Sequence, residues 1–523
     1  MNQAVPRPTT PAVPLAAVVR LVGVSTQAPD LPITGVTLDS RQVVPGDLFA
    51  ALPGDNAHGA DFAAEAVAAG AAAVLTDPAG AALLGGLGVP VIAAERPRSA
   101  LGAVAALVYG HPADDLLVLG VTGTNGKTTT TWLLDAALRA AGLRTGLIGT
   151  VETRIGDEVL GSVRTTPEAP ELHALLGVMR ERGVTAVSVE VSSHALALGR
   201  VDGLCLDVAG FTQLGRDHLD LHGDDEAYYR AKALLFTPAH ARTAVVTVDD
   251  EAGRRLAAQA SVPVLTLSVG GPADAVVTAS RPLASGGYDV ALSLPAAAER
   301  PTLDLHFTVR LPGAFNVANA ALAAAMLVSA GIEPDAVTAG LASCPAVPGR
   351  MEPVVAGQEF LAVVDYAHTP DALASVLESL RRPSGRLTVV FGCGGDRDQS
   401  KRGPMGAVAA RQADVVVVTD DNPRSEDPAV IRRSVLAGTA GSGAAVHEIG
   451  DRAEAIVWAV GQARAGDVVL VAGKGHEAGQ EVSGRWHEFD DRAQLRTALA
   501  AHGFRDTPTG GVHESPFTPE DRR

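Results

Sequence analysis

Runs of apolar residues that end in polar or glycine-rich loops recur along the second half of the chain. The runs span 360–364, 387–391, 415–419 and 468–472. Helical stretches separate them, which predicts parallel strands joined by helical crossovers. Ligands bind beyond the carboxyl ends of such strands. The loops at those ends are 365–370, 392–397, 420–424 and 473–477. The pattern therefore predicts a binding face.

An earlier strand, loop and helix carry the strongest chemical signal. The apolar run from Leu116 leads into Thr-Gly-Thr-Asn-Gly-Lys-Thr-Thr, and an amphipathic helix opens at Lys127. Glycines without a Cβ let backbone N–H groups wrap phosphate oxygens, the lysine reaches the β- and γ-phosphates, and the next hydroxyl ligates Mg²⁺. This variant loop has Val121 where the common pattern has glycine, and it still predicts ATP binding. The ATP-contacting residues expected here are Gly123, Thr124, Asn125, Gly126, Lys127, Thr128 and Thr129.

The order of elements predicts an α/β protein of three domains with a tail. The segment Ala60 to Ala73 predicts an alanine-rich helix, and Ala186 to Glu190 predicts a buried strand that ends at a carboxylate. Alternation across 276–309 predicts an antiparallel edge of the central, mostly parallel sheet. The expected divisions are 1–112, 113–348, a Rossmann-like domain over 349–504, and a disordered tail over 505–523.

Composition narrows the function classes. The chain has 523 residues and a net charge of −17, which argues against nonspecific binding to nucleic acid or anionic membranes. Cys205, Cys344 and Cys393 are far apart, which argues against a disulfide framework or zinc site and fits a reducing cytoplasm. The start does not resemble a secretory signal, and no apolar run is long enough for a membrane span. We expect a cytoplasmic protein without membrane insertion, and a monomer.

Several single residues have two interpretations each. Glu190 and His218 could ligate Mg²⁺ near Thr128, although His218 equally suits a surface or capping histidine. Because lysine side chains are rarely buried, residue type alone favours a solvated Lys232. Asn316 and Asn319 share a helix face that could bind a base edge, or Asn316 could cap the helix. Arg350 follows a tight turn and could reach phosphates.

Taken in order, the motifs resemble those of the Mur ligases, ATP-dependent enzymes that build the peptide stem of peptidoglycan. Besides the loop at Lys127, they are Glu-Val-Ser-Ser-His, Arg-Asp-His-Leu-Asp, Phe-Asn-Val-Ala-Asn, Pro-Gly-Arg-Met-Glu and Asp-Tyr-Ala-His-Thr-Pro. The resemblance extends from about Thr37 to Arg492. Each motif is weak alone, and the ordered set is specific.

Three further segments resemble the family branch that adds a diamino acid as the third residue of the stem. Residues 37–42 with 46–49 resemble its uridine-nucleotide domain, and 164–167 resembles its substrate loop, where asparagine is commoner than Arg164. Residues 421–424, Asp-Asn-Pro-Arg, resemble the signature for diaminopimelate, whose distal carboxylate the planar fork of Arg424 could bind bidentately. Lysine and ornithine lack that carboxylate.

The resemblance implies a ligase that joins diaminopimelate to UDP-N-acetylmuramoyl-L-alanyl-D-glutamate through an acyl phosphate, with ATP as co-substrate and Mg²⁺ as cofactor. Ligation of lysine or ornithine, a folylpolyglutamate synthetase and a P-loop kinase or ATP-binding switch are the alternatives.

The resemblance also implies the site residues. Ser40 and Arg41 hold the uridine end; Thr165, Thr166, Ser192 and Arg200 hold the muramoyl-dipeptide; Thr128, Glu190, His218 and Lys232 serve the metal; Asn316, Asn319, Arg350, Asp365 and His368 face ATP; Arg397, Asn422, Pro423, Arg424, Gly473 and Glu477 receive diaminopimelate. Lys232 matches a lysine that becomes N6-carboxylated, which overrides the solvated interpretation. Lys127, Glu190, His218 and Lys232 are the implied catalytic residues.

Overall fold

The computed structural model describes residues 5–24, 29–54, 57–162, 164–215, 217, 219–283, 287–295 and 302–504. The chain divides between Val347 and Pro348 into two compact units. Helices and mostly parallel sheets alternate in both, which confirms the predicted α/β class. His218 and the tail over 505–523 lie outside the described residues.

The first unit begins with a small four-stranded parallel sheet in the order β3-β4-β5-β6, beside an antiparallel pair β1-β2. The strands are β1 (Val13–Pro14), β2 (Pro32–Ile33), β3 (Gly35–Thr37), β4 (Asp47–Ala51), β5 (Ala73–Thr76) and β6 (Val91–Ala93). The helices are α1 (Leu15–Val22), α2 (Ala63–Ala68), α3 (Pro78–Leu83) and α4 (Pro97–Val108).

The predicted helix from Ala60 to Ala73 is wrong in its extent. Only Ala63–Ala68 is α-helical, and the chain turns at Gly70, where φ is +109°. A Cβ at Gly70 would lie 2.9 Å from Pro45 Cα, so glycine is required at this turn. Every residue of β5 is buried. Burial in the sheet therefore overrides the helix propensity of the last alanine.

The first unit also contains an eleven-stranded sheet in the order β10-β9-β8-β11-β7-β12-β13-β14-β15-β16-β17. Its strands are β7 (Leu117–Thr122), β8 (Thr145–Ile148), β9 (Thr153–Ile155), β10 (Glu158–Leu160), β11 (Ala186–Glu190), β12 (Leu206–Phe211), β13 (Ala241–Thr247), β14 (Val264–Ser268), β15 (Ala275–Pro282), β16 (Tyr288–Leu294) and β17 (Leu303–Val309). Its helices are α5 (Lys127–Ala140), α6 (Ala169–Glu181), α7 (Ser193–Ala197), α8 (Leu219–His222), α9 (Asp225–Ala233), α10 (Glu251–Gln259), α11 (Phe315–Ser329) and α12 (Pro334–Ser343).

The centre of this sheet positions the candidate site. β7 lies between β11 and β12, and all three run parallel. Glu190 pairs with Val121, and Phe211 pairs with Thr122, so the three carboxyl ends meet at one edge. The predicted antiparallel edge is confirmed by β15, β16 and β17.

The second unit contains a six-stranded sheet in the order β18-β19-β23-β20-β21-β22, parallel except for β18. The strands are β18 (Glu352–Pro353), β19 (Leu361–Asp365), β20 (Leu387–Phe391), β21 (Val415–Val418), β22 (Ala445–Glu448), β23 (Val468–Ala472), β24 (Gly479–Val482) and β25 (Arg485–Glu488). The helices are α13 (Pro370–Leu380), α14 (Arg402–Gln412), α15 (Pro428–Gly438), α16 (Arg452–Gln462) and α17 (Asp491–Ala501).

All four apolar runs predicted for this unit are strands, namely β19, β20, β21 and β23. Asp365 and Phe391 both pair with Ala472, so three of the predicted loops leave the same edge. β24 and β25 form a separate antiparallel hairpin that the apolar pattern did not predict. Across the part of the chain that the structure describes, no helix is long and apolar enough to cross a bilayer.

Candidate active site

The loop between β7 and α5 has room only for glycine at two positions. Gly123 has φ +144° and Gly126 has φ +90°, which L side chains rarely adopt. A Cβ at Gly123 would lie 1.8 Å from Thr212 Oγ1, and one at Gly126 would lie 2.3 Å from Asn319 Oδ1. The backbone of this loop therefore packs closely against Thr212, which follows β12, and Asn319, near the start of α11.

Polar contacts fix the rest of this loop. Lys127 Nζ donates to the carbonyl oxygens of Gly123 at 2.8 Å and Thr124 at 2.9 Å. The Thr124 hydroxyl lies 3.1 Å from the Tyr228 hydroxyl, and the Asn125 carbonyl accepts from Thr212 Oγ1 at 2.6 Å. Thr129 is buried in the first turn of α5. The predicted phosphate loop is thus a turn fixed by hydrogen bonds at a helix N-terminus, where the geometry favours anions.

Glu190 links this loop to its neighbours. Its fully buried carboxylate accepts from the Thr128 hydroxyl at 3.0 Å, from Thr150 N–H at 2.8 Å and from the Thr150 hydroxyl at 2.9 Å. Carboxylate and hydroxyl oxygens are the hard donors that Mg²⁺ prefers, and this ion is commonly held by one or two carboxylates together with substrate phosphates. Thr128 and Glu190 therefore fit a partial magnesium site.

No group of three or more His, Cys, Asp or Glu side chains suited to a metal occurs among the described residues. The predicted ligand His218 is not among them.

Lys232 is buried, in contrast to the solvated lysine that residue type alone favours. Only 2% of it is exposed, its Nζ donates to the Gly123 carbonyl at 2.8 Å, and it lies 4.5 Å above the Tyr228 ring. Burial, reinforced by the nearby charge of Lys127, holds the pKa of Lys232 well below its ordinary value. A lowered pKa favours the neutral, nucleophilic form of this amine.

The residues expected to hold the muramoyl-dipeptide continue from Glu190. The Thr150 and Thr165 hydroxyl oxygens lie 3.0 Å apart, and the Thr166 hydroxyl donates to the Glu190 carbonyl at 2.7 Å. Ser192 N–H donates to Thr166 Oγ1 at 3.0 Å. Arg200 lies nearby, with Nη1 3.4 Å from the Thr166 carbonyl and Nε 2.9 Å from Glu168 Oε1.

A cavity of about 710 Å³ in the first unit contains the other residues expected to hold this substrate. Ser40 and Arg41 line it, together with Arg164 and Glu168 of the predicted substrate loop and its flank. Ser40 Oγ donates to Glu65 Oε2 at 3.0 Å, whereas Arg41 is exposed and pairs with Asp39. One cavity thus contacts both predicted parts of the substrate site.

Asn316 and Asn319 lie at the start of α11. Helix α11 is capped at Ala314 without a side-chain bond, so the capping interpretation of Asn316 is wrong. Asn316 Nδ2 instead donates to the Pro312 carbonyl at 2.6 Å, and its Oδ1 accepts from Asn319 Nδ2 at 2.9 Å. Asn319 therefore faces the phosphate loop in a fixed orientation.

In the second unit, Arg350, Asp365 and His368 cluster around Tyr366. The Arg350 guanidinium lies 4.4 Å from the Tyr366 ring centroid, and the His368 ring packs on the same ring at 4.6 Å. Asp365 accepts from the N–H groups of Met351 and Ala367, both at 2.7 Å. Burial raises the pKa of Asp365, opposed by the charge of Arg350.

The residues expected to receive diaminopimelate form a second cluster. Asn422 Nδ2 donates to Glu477 Oε2 at 2.9 Å, and the fully buried Lys474 donates to Asn422 Oδ1 at 3.2 Å. Burial, with the charge of Asp421 adding, raises the pKa of Glu477. Pro423 is buried in the same loop, and Arg424 is partly buried.

The two remaining members of that group are on neighbouring loops. Gly473 has φ +116°, and a Cβ there would lie 2.7 Å from Asp421 Oδ2. Arg397 lies on the loop after β20, and its side chain is exposed.

Sequence reasoning missed several residues of these sites. Thr150, Thr212 and Tyr228 contact the glycine-rich loop or Glu190, and Lys474 donates to Asn422 in the second cluster. Thr150 closely follows the carboxyl end of β8, which neighbours β11, so the rule that ligands bind at strand ends could have found it.

Comparison with known proteins identifies the family. Residues 32–109 match the model described as Mur ligase family, catalytic domain; residues 121–327 match the Mur ligase middle domain; residues 349–475 match the Mur ligase, glutamate ligase domain.

Relatives and solved structures agree with these matches. A UDP-N-acetylmuramoyl-L-alanyl-D-glutamate–2,6-diaminopimelate ligase of Streptomyces avermitilis is 52% identical over 94% of this chain and 98% of its own. A UDP-N-acetylmuramyl-tripeptide synthetase of Leifsonia xyli is 46% identical over 95% of this chain and 98% of its own. A solved structure of a UDP-N-acetylmuramoyl-L-alanyl-D-glutamate–2,6-diaminopimelate ligase is 34% identical with a TM-score of 0.63, covering 94% of this chain and 99% of that one. With three matching domain models and relatives that cover nearly its whole length, this chain belongs to the Mur ligase family of ATP-dependent, ADP-forming ligases.

Proposed function

We propose that this protein joins diaminopimelate to the D-glutamate of UDP-N-acetylmuramoyl-L-alanyl-D-glutamate, with hydrolysis of ATP to ADP and phosphate. The observation that carries the proposal is a chain of hydrogen bonds from Thr128 through Glu190 and Thr150 to Thr165. This chain connects the phosphate loop to the substrate loop, so ATP and the acceptor carboxylate would meet around Glu190. Relatives that cover nearly the whole chain are named as diaminopimelate ligases.

We propose that Thr128, Glu190 and His218 hold Mg²⁺, and that carbamylated Lys232 holds a second ion. A neutral Lys232 amine would form a bond from Nζ to the carbon of CO₂ and release a proton, which leaves a carboxylate. The low pKa and burial of Lys232 support this modification. When bound, Mg²⁺ would shield the negative charge of the phosphates.

The reaction would proceed in two steps. The γ-carboxylate oxygen of D-glutamate attacks the γ-phosphorus of ATP, which breaks the bond to the leaving ADP and forms an acyl phosphate. Lys127 would stabilise charge on the phosphates as it leaves its carbonyl contacts with the loop. The amine of diaminopimelate then attacks the activated carbonyl, loses a proton and expels phosphate. Positioning and electrostatics would provide most of the catalysis.

The predicted roles of these residues support a separate role for each domain. Residues 1–112 would hold the uridine end, 113–348 would hold ATP and the dipeptide, and 349–504 would select the amino acid. Arg397, Asn422, Pro423, Arg424, Gly473 and Glu477 would receive diaminopimelate, whose distal carboxylate suits a guanidinium. Because the reaction consumes ATP, we propose a cytoplasmic site of action, and a monomeric enzyme.

The experiment measures phosphate release with ATP, Mg²⁺ and UDP-N-acetylmuramoyl-L-Ala-D-Glu, adding diaminopimelate, lysine or ornithine in parallel. We expect release stimulated by diaminopimelate alone, together with a UDP-N-acetylmuramoyl-tripeptide in the mass spectrum. Stimulation by lysine or ornithine would refute the amino-acid assignment, which the less specific name of the Leifsonia xyli relative leaves open. Stimulation by none of the three would refute the ligase assignment.

A further inference from the structure

The hairpin β24–β25 is paired with the loop that ends in Arg424. Arg424 N–H donates to the Glu481 carbonyl at 3.0 Å, and Ser483 N–H donates to the Arg424 carbonyl at 2.7 Å. Glu481 N–H also donates to Asn422 Oδ1 at 3.0 Å. The hairpin therefore adds backbone pairing to a loop that has no strand of its own.

This pairing holds Arg424 in a rare backbone conformation. Its φ is +51°, in the left-handed region that residues with a Cβ seldom adopt. Such a conformation persists only where the surrounding structure fixes it, and it is common at functional sites. The two backbone hydrogen bonds with the hairpin provide that constraint.

The Arg424 side chain also has two partners of its own. Its Nη1 donates to the Gly395 carbonyl at 2.7 Å, and its Nε lies 3.6 Å from Glu481 Oε2. Three quarters of the Arg424 side chain is shielded, since 25% is exposed. A hydrogen bond to the Gly395 carbonyl and an ion pair with the Glu481 carboxylate thus contact the guanidinium from two sides.

The remaining N–H donors of this guanidinium are on its two terminal nitrogens, Nη1 and Nη2. Of its five N–H groups, Nε–H faces Glu481 and one Nη1–H is used by Gly395, which leaves three on Nη1 and Nη2. Within the described ranges, Nη2 has no hydrogen-bond partner. An incoming carboxylate can therefore bind end-on, with one oxygen to Nη1 and the other to Nη2.

We infer that Glu481 is a positioning residue that sets selectivity for a diamino acid with a distal carboxylate, an inference that rests on the proposed function. Glu481 pairs with the Nε edge of Arg424 and so presents the opposite edge to the substrate. A simple electrostatic role predicts the reverse, because a carboxylate this close weakens the attraction of Arg424 for a second one. The two roles therefore differ in the sign of the effect when Glu481 is removed.

The test compares Glu481→Ala with Glu481→Gln, which keeps an acceptor oxygen of similar reach. For Glu481→Ala we expect the KM for diaminopimelate to rise about tenfold while kcat stays within about twofold, because orientation of a binding group is lost. The KM values for ATP and for UDP-N-acetylmuramoyl-L-Ala-D-Glu should not change, since Arg424 is proposed to receive only diaminopimelate. Glu481→Gln should restore part of the KM, and Glu488→Ala on the exposed side of the same hairpin should match the wild type.

Three outcomes would overturn the inference. An unchanged or lower KM for diaminopimelate in both Glu481 variants would leave no positioning role. Parallel losses of kcat, affinity for ATP and melting temperature in both variants would indicate a merely structural role. A wild-type enzyme that does not use diaminopimelate would refute the proposed function first, and the inference with it.

Discussion

Replacing Gly126 with alanine tests whether the turn before α5 is shaped to bind ATP. Gly126 has φ +90°, and a Cβ there would lie 2.3 Å from Asn319 Oδ1. Gly142, at the other end of the same helix, provides a matched control: its φ is +78°, and a Cβ there meets nothing within 4 Å. Both substitutions carry the conformational penalty, and only the first carries the overlap.

The expected changes in free energy follow from the conformational penalty and the steric overlap. A left-handed alanine costs roughly 1–2 kcal/mol, and both variants should lose about that much unfolding free energy. In Gly126→Ala, the loop or Asn319 must also move by about 1 Å to reach ordinary contact. Such overpacking costs about 1–3 kcal/mol. If ATP restores the original geometry, that cost moves to the binding step and raises the Kd for ATP about 5- to 150-fold.

The assay is ATP binding by calorimetry, with urea unfolding of both variants in parallel. Gly142→Ala should bind ATP within about twofold of the wild type despite its lower stability. Equal ATP affinity for the two variants, with both folded, would refute the argument that close packing of Asn319 on the turn serves the nucleotide.

Two further substitutions test groups that the fold buries. Lys232→Ala should lower ligase activity by about 100-fold or more, because a metal-binding carbamate is lost. A short carboxylic acid such as acetate should restore part of it, and full activity without rescue would contradict the metal role. Lys401→Ala, at the start of α14 and not among the predicted site residues, is the control. Burial lowers the pKa of His173 to about 4 from 6.5. Between these values the unfolded chain binds a proton that the folded chain does not, so the unfolding free energy should fall by up to about 3 kcal/mol as the pH drops from 6.5 to 4. His173→Gln should remove that part of the pH dependence in urea titrations, whereas His447→Gln on the surface should keep it. Identical profiles of unfolding free energy against pH for the wild type and His173→Gln would contradict the role of His173.

The sequence predicted features that depend on local pattern and chain order. The strands of the second unit and the antiparallel edge of the large sheet were found because burial leaves continuous or alternating apolar runs. The turn at Gly123 to Lys127 was found because its glycines and lysine are adjacent in the chain. The α/β class followed from the order of these elements.

Features that depend on tertiary packing were harder to predict from the sequence. Nothing around Lys232 in the sequence indicates that its amine is buried under Tyr228 and the Gly123 carbonyl. The helix predicted up to Ala73 failed because that alanine is required in a buried strand. Glu481 and its hairpin are polar and exposed in pattern, so their pairing with Arg424 emerged only from the structure.

The central claim is that the acceptor carboxylate attacks ATP, and isotope transfer tests it most directly. UDP-N-acetylmuramoyl-L-Ala-D-Glu labelled with ¹⁸O in the γ-carboxylate would be turned over with ATP and diaminopimelate, and the released phosphate analysed by mass spectrometry. Our account predicts one ¹⁸O in each phosphate, because a carboxylate oxygen stays on phosphorus when the amine expels it. Unlabelled phosphate, released in proportion to ATP consumed, would contradict the acyl-phosphate mechanism.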